Sequence, residues 1–337
     1  MNPFSFLFPQ SFDWIQVEVT SACNAECAYC PHTAYRAFWK NRYLSLDRFR
    51  KLEDAFTRTR HVHLQGWGEP FLHPNFFDMV AIAKRAGCRV GTTTNGMCLD
   101  ADHLVRIIDS GLDVIAFSLA GTDERNDIIR KGTRLDMVLN GMRGLSREKG
   151  IRNSKTPEIH VAYMLLKTEV AGLEHLPALL SDSGANQAVI STLDFVPSKE
   201  LLSQTLIPKT MAEYEEWVSL LNAVARRGEP MGLHIHHYLL PPDQKKLFCT
   251  ENVQKAVCVA SDGAVTPCVF TNLNPSGISY VSKTGAMPYE RLVFGTIGEE
   301  SLFEIRRKKS YAAFCRSFQS KTLFAQCRGC LKLKGSI

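Results

Sequence analysis

The stretch Trp14-Ile15-Gln16-Val17-Glu18-Val19-Thr20-Ser21-Ala22-Cys23-Asn24-Ala25-Glu26-Cys27-Ala28-Tyr29-Cys30 runs from an apolar segment, Trp14 to Val19, into three cysteines at C-x3-C-x2-C spacing. The apolar segment reads as a β-strand and the cysteines as the loop that leaves it. A cubane iron–sulfur cluster normally takes four thiolates, one per iron, so three from one loop leave one iron open to another ligand. An open iron implies chemistry at the metal. Zinc is the competing reading, but it wants paired C-x2-C units or a Cys/His set at known intervals, and the nearest histidine, His32, lies two residues past Cys30. A disulfide fits less well, because close thiols without a secretory signal bind metal or do redox work.

The run from Val17 to Cys30, with aromatic Tyr29 before the third cysteine, resembles the signature of the radical S-adenosylmethionine (SAM) enzymes. The resemblance implies a [4Fe–4S] cluster held by Cys23, Cys27 and Cys30, with SAM chelating the fourth iron. It also implies reductive cleavage of SAM to a 5′-deoxyadenosyl radical that abstracts hydrogen from a substrate. Further motifs follow in the expected order. Val62 to Leu64 ends in Gln65-Gly66-Trp67-Gly68-Glu69-Pro70, similar to the family's GGEP-type loop, with Trp67 interrupting the glycine pair. Arg89 to Thr93 leads into Thr94-Asn95-Gly96, and Val114 to Phe117 into Ser118-Leu119-Ala120-Gly121. Ser118 through Arg130 resembles a further SAM-contacting stretch, although Ala120 replaces its aspartate and carries no ligand role. The resemblance thus implies SAM contacts from Tyr29, Gly66, Gly68, Glu69, Pro70, Thr94, Asn95, Ser118 and Arg130. A guanidinium such as Arg130 pairs bidentately with a carboxylate.

Between these strands lie apolar stripes at helical spacing: Leu104, Ile107 and Ile108 before Gly111; Leu135, Val138, Leu139, Met142 and Leu145; Leu173, Leu176 and Leu180. Two more strands are expected over Ile159 to Leu165 and Ala188 to Phe195. Alternating short strands and helices predict an α/β fold with a parallel sheet. Six strands fit a partial (β/α)6 TIM-like barrel over residues 1–205, with ligands at the carboxyl ends of the strands.

After about residue 205 the βα rhythm is expected to stop, giving a smaller α+β domain over 206–337. Cys249, Cys258, Cys268, Cys315, Cys327 and Cys330 all fall there. Ala256 to Cys268 reads as two short strands around an Asp262-Gly263 turn. Cys249, Gly263, Cys268 and the C-x2-C pair Cys327 and Cys330 resemble the SPASM and twitch domains appended to radical SAM enzymes. That implies one auxiliary [4Fe–4S] cluster on Cys249, Cys268, Cys327 and Cys330, since seven residues after Cys330 leave no ligands for a second. Cys258 and Cys315 read as packing residues, with Cys315 able to replace Cys249 in another register. Structural zinc on the four C-terminal cysteines is the alternative.

The chain has 337 residues, 45% of them hydrophobic, and a net charge of +6. No apolar run approaches a membrane span, the basic run Arg306-Arg307-Lys308-Lys309 reads as a solvated helix face, and nucleic acid is not expected. The apolar start, Met1 to Pro9, reads as a packing arm, and eleven cysteines point to a reducing, cytoplasmic setting. A flavodoxin- or ferredoxin-like electron donor is expected. An auxiliary cluster closed by four thiolates cannot bind SAM, so it serves as electron relay, scaffold or staple. The resulting expectation is net oxidation or maturation of a peptide, alcohol or cofactor precursor. A redox sensor and a zinc-stabilised binding protein are the alternatives. Lys334-Gly335-Ser336-Ile337 lacks the terminal Gly-Gly of the molybdopterin-pathway relatives, so membership of that pathway is not expected, and with about thirteen residues before the first strand a leader-peptide maturase is less expected without being excluded. Tyr163, Asp194, His160 and His236 are proton acceptors by residue type alone.

Overall fold

The computed structural model describes residues 12–334 except 243, 245, 246, 283, 284 and 321, so the expected N-terminal arm lies outside the described residues. The apolar run expected as a strand over Trp14 to Val19 lies in β1 (Phe12–Val17) only as far as Val17, with Glu18 and Val19 beyond its end. Parallel neighbours follow outward: β2 (Thr59–Leu64), β3 (Arg89–Thr94), β4 (Val114–Leu119), β5 (Glu158–Leu165), β6 (Gln187–Thr192) and β7 (His234–His237). On the other flank of β1, β8 (Ala256–Val259) pairs in parallel, and β9 (Ala264–Thr266) and β10 (Gly295–Thr296) continue antiparallel. The result is one ten-stranded, mostly parallel sheet with free edges at β10 and β7, a partial barrel.

Side-chain alternation explains the two faces. Along β5, Ile159, Val161, Tyr163 and Leu165 are buried while Glu158, His160, Ala162 and Met164 are half-buried. The first set packs beneath helices, where full burial of each Ile, Val or Leu contributes about 1.5–3 kcal/mol; the second lines the open, polar face. The helices are α1 (Phe76–Arg85), α2 (Ala101–Asp109), α3 (Leu135–Ile151), the short α4 (Leu176–Leu180) and α5 (Met211–Gly228). Each expected leucine stripe falls on this layer: Ile107, Val138, Met142, Leu145, Leu173, Leu176 and Leu180 are all core residues.

Two expectations change. The rhythm does not stop near residue 205, because α5 and β7 add another repeat, and His234, His236 and His237 belong to that strand. The basic run does not sit inside one helix: α6 (Leu302–Arg307) ends at Lys308, and α7 (Lys309–Ser320) begins afresh. The expected hairpin is present as β8 and β9. Among the described residues no helix is long and apolar enough to cross a membrane.

Candidate active site

The three-cysteine loop leaves β1 at its carboxyl end and is pinned locally. Glu26–Cys27 pairs antiparallel with Arg130–Lys131, Ala28 N donates to Ile129 O at 2.8 Å, and Cys30 N donates to Cys27 O at 3.0 Å. The Arg130 stretch is therefore the floor of the cysteine loop. Arg130 is buried; its Nη1 donates to Tyr29 Oη at 2.5 Å, while its Nε has no hydrogen-bond partner. Burial works against its charge, and Tyr29, Cys27 and Cys23 beside it raise its pKa to the extent that they ionise.

The Gln65–Pro70 loop lies directly on the backbone that precedes Cys23. A Cβ on Gly68 would stand 2.4 Å from Thr20 O and 2.5 Å from Ala22 O, and Glu69 N donates to Ala22 O at 2.8 Å. Only glycine permits that approach. Pro70 opens a one-turn 3₁₀ helix that Glu69 caps. The buried Glu69 carboxylate accepts from Thr94 Oγ1 at 2.7 Å, Asn95 N at 2.7 Å and Phe71 N at 3.3 Å, tying this loop to the end of β3. Burial raises its pKa against the pull of those donors. Asn95 Nδ2 donates to Asn24 Oδ1 at 2.7 Å, and Asn95 Oδ1 accepts from Met97 N at 2.9 Å. The side chains of Glu69, Thr94 and Asn95 thus fasten three loops together. Ser118 lies within β4 on the half-buried face.

The C-terminal cysteines gather separately. Cys249, Cys268, Cys327 and Cys330 line one cavity of about 150 Å³ together with Phe195, Phe270, Tyr280 and Tyr289. Antiparallel pairing of Phe248–Cys249 with Leu333–Lys334 draws Cys249 beside Cys330. Cys258 is fully buried, its carbonyl taking a bond from Thr266 Oγ1, and Cys315 sits on α7; neither lines the cavity. An aromatic wall lines this cavity and reaches the Gln65–Pro70 loop through Trp67. The Trp67 ring packs 5.8 Å from Phe270 and 6.1 Å from Phe195, and Phe195 stacks on Tyr280 at 5.4 Å.

The proton-acceptor candidates scatter. Tyr163 is buried on the helix-covered face with its hydroxyl unpartnered, and His160 and His236 line a cavity of about 330 Å³ with Glu158, at the strand ends opposite the cysteines. Only Asp194 stays close, bridged by Lys332 at 3.1 Å beside the C-terminal thiols. Sequence reasoning missed Lys332 and Glu18. An acid inside the apolar run Val17-Glu18-Val19 was the available signal, and Glu18 is 3% exposed.

Matches to known proteins bear on the same two regions. The sequence model of the radical SAM superfamily matches residues 17–171, and that of the SPASM iron–sulfur cluster-binding domain matches residues 249–331. The protein is a radical SAM superfamily enzyme with a SPASM domain. A tungsten-containing aldehyde ferredoxin oxidoreductase cofactor-modifying protein of Pyrococcus furiosus is 24% identical over 94% of this chain and 86% of its own length. The GTP 3′,8-cyclase of Pectobacterium atrosepticum is 36% identical, over 35% of this chain and 37% of its own. Among solved structures, Streptococcus suis SuiB bound to SAM aligns over 96% of this chain and 71% of its own at TM-score 0.65 and 13% identity. Native anSMEcpe with bound SAM aligns over 94% and 88% at TM-score 0.66 and 14% identity.

The radical SAM and SPASM domains imply [4Fe–4S] clusters and SAM, and the donor sets fit them. Burial pushes the Cys23 thiol up to about 11 and those of Cys30 and Cys249 up to about 12, with neighbouring thiols adding to each rise. Burial likewise raises Cys268 and Cys327; Glu251 and the other three cysteines raise the first further, and Cys330 and Cys249 the second. Crowded thiols of this kind stay protonated until a cationic centre displaces their protons. The unpartnered Nε of buried Arg130 is a donor awaiting an acceptor beside the loop. Among the described residues no three His, Cys, Asp or Glu side chains close around a point that would hold one metal ion.

Proposed function

We propose that this radical SAM enzyme cleaves SAM reductively at the N-terminal site and uses the C-terminal site to support net oxidation or maturation of a substrate bound between them. Cys23, Cys27 and Cys30 would hold the SAM-binding cluster; Cys249, Cys268, Cys327 and Cys330 would hold the auxiliary one. When bound, the first cluster supplies the electron that cleaves SAM and starts hydrogen abstraction. The chain's own residues do the rest. Gly66, Gly68 and Pro70 shape a loop that presents backbone to the SAM amino group, Glu69, Thr94 and Asn95 lock it, Arg130 offers its guanidinium to the SAM carboxylate, and Tyr29 and Ser118 complete the pocket.

The observation that carries this reading is the sorting of seven cysteines into two groups, one beside the Gln65–Pro70 loop and one lining its own cavity behind the aromatic wall. Among substrates, a cofactor precursor has the most support, because the cofactor-modifying relative matches nearly the whole chain. A peptide or alcohol substrate is the second choice. A reducing, cytoplasmic setting and a flavodoxin- or ferredoxin-like donor complete the reading.

Anaerobic reconstitution, iron counting and dithionite-driven SAM cleavage test it. About eight irons with release of 5′-deoxyadenosine supports the proposal; iron without cleavage makes the protein a redox sensor, and bound zinc makes it a binding protein.

A further inference from the structure

Glu18 follows β1 immediately, is almost wholly buried, and touches none of the seven candidate ligands. Its Oε1 accepts from Trp67 N at 3.0 Å. Its Oε2 accepts from Ser261 N at 3.1 Å, from Ser261 Oγ at 2.8 Å and from Asn272 Nδ2 at 3.5 Å. One oxygen therefore holds the Gln65–Pro70 loop, and the other holds the segment around the β8–β9 turn. The fit is close: a Cβ on Gly66 would lie 2.2 Å from Glu18 Cγ. A buried carboxylate is costly unless donors surround it, so these bonds fix the loop rather than decorate it.

Trp67 completes the connection. Its backbone is held by Glu18, and its indole Nε1 donates at 3.1 Å to the carbonyl of Val269, the residue after Cys268. The far side is braced as well: Arg291 Nε and Nη2 donate to Asn272 Oδ1 at 3.1 and 2.6 Å, and Arg291 pairs with Asp262 at 2.7 Å. A continuous run of hydrogen bonds thus joins the loop that shapes the SAM pocket to the loop that carries an auxiliary cysteine. The tryptophan that interrupts the glycine pair is the link.

We propose that Glu18 and Trp67 are positioning residues that couple the two sites, so that seating the Cys268 loop around the auxiliary cluster sets the Gln65–Pro70 loop for SAM. This rests on the function proposed above. The coupling extends to the redox state of that cluster: the Cys268 loop seats differently around the oxidised and reduced forms, SAM binds the two with different affinity, and by reciprocity SAM shifts the auxiliary reduction potential.

The test uses the anaerobically reconstituted holoprotein with two variants. Trp67→Phe keeps an aromatic ring but loses the indole donor, and Ser261→Ala removes one donor to Glu18 from the C-terminal side. Iron content, the dissociation constant for SAM, and the auxiliary midpoint potential with and without SAM are measured. The wild type is expected to bind SAM and to show a SAM-dependent potential shift. Trp67→Phe, at full iron content, is expected to bind SAM about tenfold more weakly and to lose that shift; Ser261→Ala moves the same way by less. Wild-type SAM affinity with the shift intact in both variants overturns the coupling, whether or not either variant loses iron. A wild type that binds no SAM overturns the function proposed above, a separate result.

Discussion

The two cysteine groups are built in opposite ways. Cys23, Cys27 and Cys30 fall within one loop, and their geometry is set by a strand end, one short pairing with Arg130–Lys131 and the backbone of the next loop. Cys249, Cys268 and the Cys327/Cys330 turn come from three places far apart in sequence and meet because Phe248–Cys249 pairs with Leu333–Lys334 and the β8–β9 hairpin joins the main sheet beside β1. The first is a local device, and on the proposed ligand set it leaves one coordination position to spare. The second is a long-range closure that, on the proposed ligand set, would use all four of its thiols and tie the C-terminal region to the barrel. Only the first suits exchange of a small cosubstrate.

Substitutions at the ligands separate the groups most sharply. Cys27→Ser is expected to abolish dithionite-driven SAM cleavage, with at least a thousandfold loss, and to remove about four irons. Cys268→Ser is expected to remove a similar number yet leave SAM cleavage within about tenfold of wild type; iron assay and quantitation of 5′-deoxyadenosine check both. Cleavage lost equally in the two variants breaks the distinction.

Arg130→Ala should come next. Loss of a charge-assisted hydrogen bond costs about 1.5–3 kcal/mol, so SAM affinity should fall roughly ten- to hundredfold with iron content unchanged. Arg130→Lys should not restore it, because an ammonium lacks the planar fork. Equilibrium binding of SAM decides this.

A smaller effect concerns the barrel alone. Burial lowers the pKa of His63 and of His73, the first bonded to Gln65 and the second to Leu44 O. A depressed folded pKa means that the unfolded chain takes up protons first as pH falls below about 6.5. Stability is therefore complete above that pH and is lost on acidification. Thermal melting of the holoprotein should show a falling midpoint from pH 7 to 5, and His63→Gln should flatten the dependence. No effect at all is expected from Cys258→Ala or Cys315→Ala on iron content, since neither side chain lines the auxiliary cavity. Loss of about four irons in Cys315→Ala would replace Cys249 in the ligand set.

Much of this was legible in the residues because the relevant physics is local. Period-two and helical spacing placed β1 to β6 and the leucine stripes, and the Asp262-Gly263 turn marked the hairpin. What escaped depends on tertiary closure. His234 to His237 carries too few apolar residues to announce a strand, because one face of β7 looks onto the polar side of the sheet. Glu18 and Lys332 escaped for a related reason: a buried charge is recognisable only once its partners are known, and those lie far off in sequence, at Ser261 and Asn272 for one and at Asp194 and Glu251 for the other. Thr94 and Asn95 read as SAM contacts, but their bonds to Glu69 and Asn24 were invisible, since those cross between loops.

The account stands on two separate cluster sites, of which one admits SAM. Electron paramagnetic resonance of the dithionite-reduced protein, recorded with and without SAM, tests this in the wild type and in a variant with Cys23, Cys27 and Cys30 all changed to alanine. The account predicts about eight irons and a SAM-perturbed signal in the wild type, against about four irons and a signal indifferent to SAM in the variant. A variant that keeps no iron, or whose remaining signal still responds to SAM, would contradict it.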